Sequence, residues 1–95
     1  MPAKGTSVRL GMNVVFIEWL DSHERPGWTT EPPIAKPLVC FTVGFLVAET
    51  AEVVVVSGSI TNEDRIQRCG DMTIPKKVIR KRTILRRLGK AEQAV

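Results

Sequence analysis

The chain has 95 residues, of which 43% are hydrophobic and 25% are charged. This length suits one domain, and the composition is that of a folded globular protein, which excludes a disordered or collagen-like chain. No apolar stretch follows the N-terminal residues, and the longest apolar runs are too short to cross a bilayer. We therefore expect a cytoplasmic protein with no signal peptide and no membrane partner.

The formal net charge of +4 is unevenly distributed. Eight basic residues and no acidic residue lie between positions 76 and 90, whereas residues 1–75 carry more acids than bases. This polarity predicts an acidic partner, such as nucleic acid, a nucleotide or an acidic protein surface. The candidate nucleic-acid or phosphate-binding residues are Lys76, Lys77, Arg80, Lys81, Arg82, Arg86 and Arg87.

The first predicted element is a strand over residues 12–19, preceded by a flexible arm over residues 1–11. Its β-branched and aromatic residues favour a strand in which Val15, Ile17 and Trp19 share one face. A long proline-containing loop is predicted over residues 20–37, anchored by Trp28.

The second and third strands are predicted over residues 38–50 and 53–60, with a tight turn between them. In the second strand Gly44 predicts the bend that a small barrel needs in order to close. The third strand is apolar on both faces, which predicts a central position in the sheet. The alternating residues on one face of the second strand are Val39, Phe41, Val43, Phe45 and Val47.

A polar loop over residues 61–67 precedes a short fourth strand over residues 68–74. Pro75 marks a turn. The residues around and after it predict a 3₁₀ turn over 75–78 followed by a strand over 78–85. The alternative is a basic helix over residues 76–87, because its apolar residues also follow helical spacing. With a flexible tail over residues 89–95, the whole pattern predicts an all-β, five-stranded antiparallel barrel in one domain over residues 12–88.

Residues 70–79, GDMTIPKKVI, resemble the end of an SH3 domain. In this resemblance Ile74 and Pro75 form the pair that leads into the 3₁₀ turn, and Val78 opens the last strand. It implies an SH3-like or Sm-like barrel in which loop 20–37 takes the place of the long first loop. The chain has no tyrosine, so the resemblance does not extend to polyproline recognition.

The whole chain resembles a family of small uncharacterised proteins encoded by bacteriophages and prophages. The resemblance rests on Trp19, Asp21 and Ser22, followed by Gly27 and Trp28, by residues 42–46, by Val55, Val56, Ser59 and Ile60, and by Cys69, Gly70, Met72 and residues 74–76. It implies an accessory protein in the host cytoplasm and assigns no chemistry.

Residues suited to catalysis or metal binding are scarce. The single histidine, His23, adjoins Asp21 and Ser22 in sequence, whereas members of a catalytic triad meet only through the fold. Cys40 and Cys69 do not form a disulfide framework, and with His23 they make an unconvincing metal site. We therefore expect a protein that is not an enzyme and binds neither a metal nor a cofactor.

Three functional hypotheses follow. In the first, a small barrel binds nucleic acid through the basic segment 76–87. One version of this hypothesis has the barrel form an oligomer. In the second, an anti-defence or host-takeover protein binds a host protein through the loop residues Asp21, His23 and Trp28. In the third, an oligomeric sponge presents Arg80 or Arg82 to a signalling nucleotide. Trp28 is the only aromatic residue that is a candidate for exposure, and the alternative is that it covers one end of the barrel as a hydrophobic lid.

Overall fold

The computed structural model describes residues 12–88, so the predicted arm over 1–11 and tail over 89–95 lie outside the described residues. A 3₁₀ turn, Lys76–Val78, connects the last two strands. Residues after this turn therefore form the predicted strand and not the alternative basic helix. The strands are β1 (Met12–Asp21), β2 (Leu38–Glu49), β3 (Val53–Ser57), β4 (Ser59–Ile60), β5 (Arg68–Cys69), β6 (Met72–Pro75) and β7 (Ile79–Leu88).

Five of these strands form one antiparallel sheet in the order β6-β3-β2-β1-β7. β4 and β5 form a separate two-stranded sheet. The all-β prediction and the five-stranded antiparallel sheet are thus confirmed. β6 and β7 are the two edges of this sheet, and closure of the sheet into a barrel stays a prediction.

Two predicted strands are interrupted by glycine. The strand predicted over 53–60 divides at Gly58 into β3 and β4, and the strand predicted over 68–74 divides near Gly70 into β5 and β6. Gly70 has a φ of 78°, which a ladder of extended residues does not accommodate. The chain therefore turns out of the main sheet at these points, and the small sheet begins there.

The hydrophobic core lies on one face of the sheet, which we call the inner face. It contains Val15 and Ile17 from β1, Val54 and Val56 from β3, and Ile74 from β6. Partly buried side chains that pack against it are Trp19, Leu46, Val78 and Ile79. The predicted shared face of β1 is confirmed, and the central position of β3 between β2 and β6 is confirmed too.

Gly44 marks the point where β2 changes partners. Before it β2 pairs with β1, and immediately after it Phe45 also pairs with Ser57 of β3. A Cβ atom at Gly44 would lie 2.8 Å from the carbonyl oxygen of Ser57, a distance that real Cβ contacts avoid. Glycine is thus required because the backbones of β2 and β3 approach so closely.

We predict that Gly44→Ala lowers the free energy of unfolding by roughly 2 kcal/mol, because the added methyl group forces the two backbones apart. Gly58→Ala is the matched control, since its Cβ would meet only the carbonyl oxygen of Cys69 at 3.6 Å, an ordinary contact. Urea unfolding of both variants measures the difference. Equal stabilities of the two variants would contradict this role of Gly44.

Candidate functional site

The basic segment is held along one edge of the sheet. β7 pairs with β1, and two register shifts leave Arg80 and Leu85 as extra residues in β7. Such β-bulges twist a strand and change the direction in which its side chains point. The cations of β7 are therefore spread over both faces of the edge strand and do not form one compact patch.

Two of the predicted binding cations are held by one carboxylate. Glu49, at the end of β2, accepts two hydrogen bonds from the Arg82 guanidinium, with N–O distances of 3.0 and 3.2 Å. Lys76 Nζ lies 2.7 Å from the same carboxylate. The hydrogen bonds from Arg82 first, and from Lys76 second, lower the pKa of Glu49 to about 2. Lys76 and Arg82 thus fasten the 3₁₀ turn and β7 to the end of β2.

The remaining cations are in different situations. Arg80 Nε lies 3.5 Å from Glu18 of β1. Within the described residues no acidic partner is found for Lys77, Lys81 or Arg87. Arg86 is exposed and lies opposite Val14 of β1. The structure therefore separates the seven predicted cations into a group that supports the fold and a group that is open to solvent.

The sheet face opposite the core, which we call the outer face, carries an aromatic pair that the sequence did not predict to be exposed. Phe41 of β2 is 63% exposed, and its ring stacks on Phe16 of β1 with centroids 5.5 Å apart. Trp28 is therefore not the only exposed aromatic residue. The inner positions of β2 opposite Val15 and Ile17 are Gly44 and Thr42, so the alternation of apolar residues in β2 does not identify its solvent face, and only the register with β1 does.

The loop between β1 and β2 extends from the sheet with every residue from 22 to 37 exposed. Trp28 is fully exposed at its surface, so the prediction that Trp28 anchors the loop is wrong. Asp21 ends β1 and accepts a hydrogen bond from the backbone N–H of Ser22 at 2.8 Å. His23 lines an open cleft of about 360 Å³ with other loop residues.

Arg25 takes the place of Trp28 as the organising residue of this loop. Its guanidinium donates to the carbonyl oxygen of Pro32 at 3.2 Å and lies 3.7 Å from the carboxylate of Glu31. The backbone N–H of Glu31 in turn donates to Thr29 Oγ1 at 3.0 Å. The loop is thus braced by polar contacts of its own, and these contacts leave the indole ring of Trp28 outside.

A second polar cluster, which the sequence did not predict, fastens the turn before β6. The buried hydroxyl of Ser57 donates to Asp71, and Arg68 Nε lies 3.1 Å from the same carboxylate. The Ser57 hydrogen bond first, and Arg68 second, lower the pKa of Asp71 below its usual range. The cluster gives the hydroxyl group buried at the end of β3 a hydrogen-bond partner, so we assign it a structural role.

No group of three metal-ligating side chains occurs in residues 12–88, and Cys40 and Cys69 are free thiols. In this range no helix is long and apolar enough to cross a membrane.

Comparison with known proteins gives no relative. No protein-family model matches the chain, and neither a curated protein nor a solved structure is significantly similar to it. The resemblance to phage-encoded proteins therefore stays a prediction, and function has to be argued from the side chains themselves.

We predict that Glu49→Gln lowers the free energy of unfolding by about 0.5–1 kcal/mol at neutral pH, a value reduced for the solvent screening of a partly exposed pair. Because the pKa of Glu49 is lowered to about 2 on folding, this stabilisation is present above the pKa of the unfolded state, near 4.5, and disappears as the pH falls towards 2.

Urea unfolding as a function of pH measures this difference. Glu63→Gln is the matched control, because it removes the same charge from the loop between β4 and β5. A difference between wild type and Glu49→Gln that is unchanged from neutral pH down to pH 2 would contradict the assignment.

Proposed function

We propose that the protein binds nucleic acid through the cations of β7 and the 3₁₀ turn. The observation that carries this proposal is the order of the segment. Seven cations lie on the 3₁₀ turn and β7 at one edge of the sheet, and ion pairs with Glu49 and Glu18 hold some of them in place. They are Lys76, Lys77, Arg80, Lys81, Arg82, Arg86 and Arg87. A fixed excess of positive charge along an extended strand suits the regular negative charge of a phosphate backbone.

The fold that we propose for this function is a small SH3-like barrel. The strand order, the close approach of β2 to β3 at Gly44 and the 3₁₀ turn before β7 support it. In the sheet β7 pairs with β1 on one side and is the edge strand on the other. The length of β7, ten residues, corresponds to about 33 Å of extended chain.

We predict that the protein binds an oligonucleotide at about 50 mM salt and much more weakly at about 200 mM salt. Lys77→Gln together with Lys81→Gln removes two cations that have no acidic partner among the described residues. This double variant should weaken binding by roughly tenfold at low salt and reduce the slope of log affinity against log salt, since each lost phosphate contact contributes about 0.7–0.9 to it.

Fluorescence anisotropy with a labelled oligonucleotide gives both quantities. The matched control is Lys36→Gln together with Arg65→Gln, which removes the same charge from loops away from β7. Absence of binding at low salt, or an equal loss in both double variants, would contradict the proposal.

A second function, binding to a protein partner through the loop after β1, is favoured by Trp28. A fully exposed tryptophan contributes no burial to its own fold, whereas tryptophan is prominent among residues that dominate protein interfaces. The contacts of Arg25 hold the loop in place, which reduces the entropy lost on association. His23 lines the cleft of the same loop, and Asp21 is the last residue of the strand that leads into the loop.

We predict that Trp28→Ala changes the free energy of unfolding by less than about 0.5 kcal/mol, as for other exposed positions, but removes a protein partner recovered by affinity purification. Lys77→Gln with Lys81→Gln is the control in this experiment, because it should leave that partner bound. A large loss of stability in Trp28→Ala, or recovery of the same proteins with both variants, would contradict this second function.

A further inference from the structure

The outer face of β2, β1 and β7 is defined by the strand register. Residues directly opposite each other in an antiparallel pair lie on the same face of the sheet. Phe41 is opposite Glu18, which is opposite Lys81, and in the neighbouring row Val43 is opposite Phe16, which is opposite Thr83. The core residues Val15 and Ile17 alternate with these β1 positions and point the other way. Aromatic, apolar and cationic side chains therefore lie side by side on one solvent-facing surface.

The apolar part of the outer face is centred on β2. Phe41, Val43 and Val39 are all exposed, and the ring of Phe16 is stacked on that of Phe41 at an angle of 30°. Phe16 therefore supports the Phe41 ring, most of whose surface stays accessible to solvent. An exposed and supported aromatic ring on a rigid strand is a suitable surface for stacking a planar group.

The polar part of the outer face lies on β7. Lys81 lies opposite Glu18 in the strand register, and Arg80 Nε lies 3.5 Å from the carboxylate of Glu18. One acid is therefore outnumbered by two cations at the border of the apolar strip. Phe41 and Lys81 are two strands apart, which corresponds to about 10 Å. A ligand that matches this face has a flat apolar part and, beside it, a negative charge.

We propose that the outer face binds single-stranded nucleic acid, with a base stacked on Phe41 and the phosphates along β7. This inference rests on the proposed function and names its substrate class. In a duplex the base faces are covered by their neighbours and cannot reach the ring, whereas an unpaired strand presents a base and its phosphate together. Because every base has an aromatic face, we expect little sequence preference.

A second copy of the chain is the alternative occupant of this face. Packing two outer faces together would bring Glu18, Arg80 and Lys81 of both copies into the contact. Burying these charges costs desolvation free energy, which offsets the free energy gained by burying the apolar strip. Charge complementarity thus favours a polyanion over a second copy, and the experiment distinguishes the two.

The test compares Phe41→Leu with Phe41→Trp, using a labelled oligothymidine of about 15 nucleotides and a mixed-sequence duplex of equal length. Wild type should bind the single strand more tightly than the duplex. Phe41→Leu should weaken single-strand binding by roughly tenfold, while Phe41→Trp should restore it because the indole ring also stacks. The salt dependence should be unchanged in both variants, since no cation is lost. Trp28→Leu is the matched control that removes an exposed aromatic ring away from this face.

The possible failures are distinguishable. The stacking inference is wrong if Phe41→Leu binds the single strand as tightly as wild type does, or if wild type binds the duplex as tightly as the single strand. In either case, salt-sensitive binding that depends on Lys77 and Lys81 would still support the proposed function. If neither nucleic acid binds at low salt, both are wrong. Light scattering that shows a dimer in wild type and a monomer in Phe41→Asp would assign the face to a second copy and overturn the inference. Urea unfolding of each Phe41 variant confirms that it folds.

Discussion

The close approach of β2 and β3 at Gly44 is the constraint on which the rest of the structure depends. A Cβ atom on this residue would lie too near the carbonyl oxygen of Ser57 for any side chain to fit. Up to Phe45 β2 pairs with β1, and from Phe45 onwards it pairs with β3. Valines of β3 are thereby brought over Val15 and Ile17 of β1, and the small core is completed by Ile74. The pairing of β2 with β3 extends to Glu49, which contacts Arg82 and Lys76.

The two β-bulges of β7 explain how this strand serves two purposes. Lys76 and Arg82 of the basic segment contact Glu49, and their contribution is to hold the 3₁₀ turn and β7 against the end of β2. Cations that reach the outer side, such as Lys81, lie beside the aromatic pair of Phe16 and Phe41. The basic character of β7 is therefore partly structural, and a simple count of positive charges overstates what is available to a ligand.

The sequence allowed most strands to be predicted, since alternation, β-branched residues and proline or glycine signals are local. The 3₁₀ turn after Pro75 was predicted for the same reason, whereas the bend at Gly44 stays a prediction. The outward direction of Phe41 was not, because both faces of β2 carry residues compatible with a core and the register decides between them. The Glu49 cluster was missed as well, because it joins residues that are distant in sequence. Trp28 was misjudged because its loop is braced by polar contacts of Arg25, which leave no apolar pattern to recognise.

The loop between Asp21 and Leu38 has a consequence for how such a chain changes over evolutionary time. Its two ends are fixed to each other by the last pair of the β1–β2 ladder, and all residues from 22 to 37 are exposed. The sheet thus holds together without any side chain of this segment. Doubling the length of a flexible loop costs only about 0.6 kcal/mol, so insertions and substitutions here are cheap for folding. Selection is free to alter this segment when a partner changes, and homologous chains should diverge there first while the sheet beneath them stays the same.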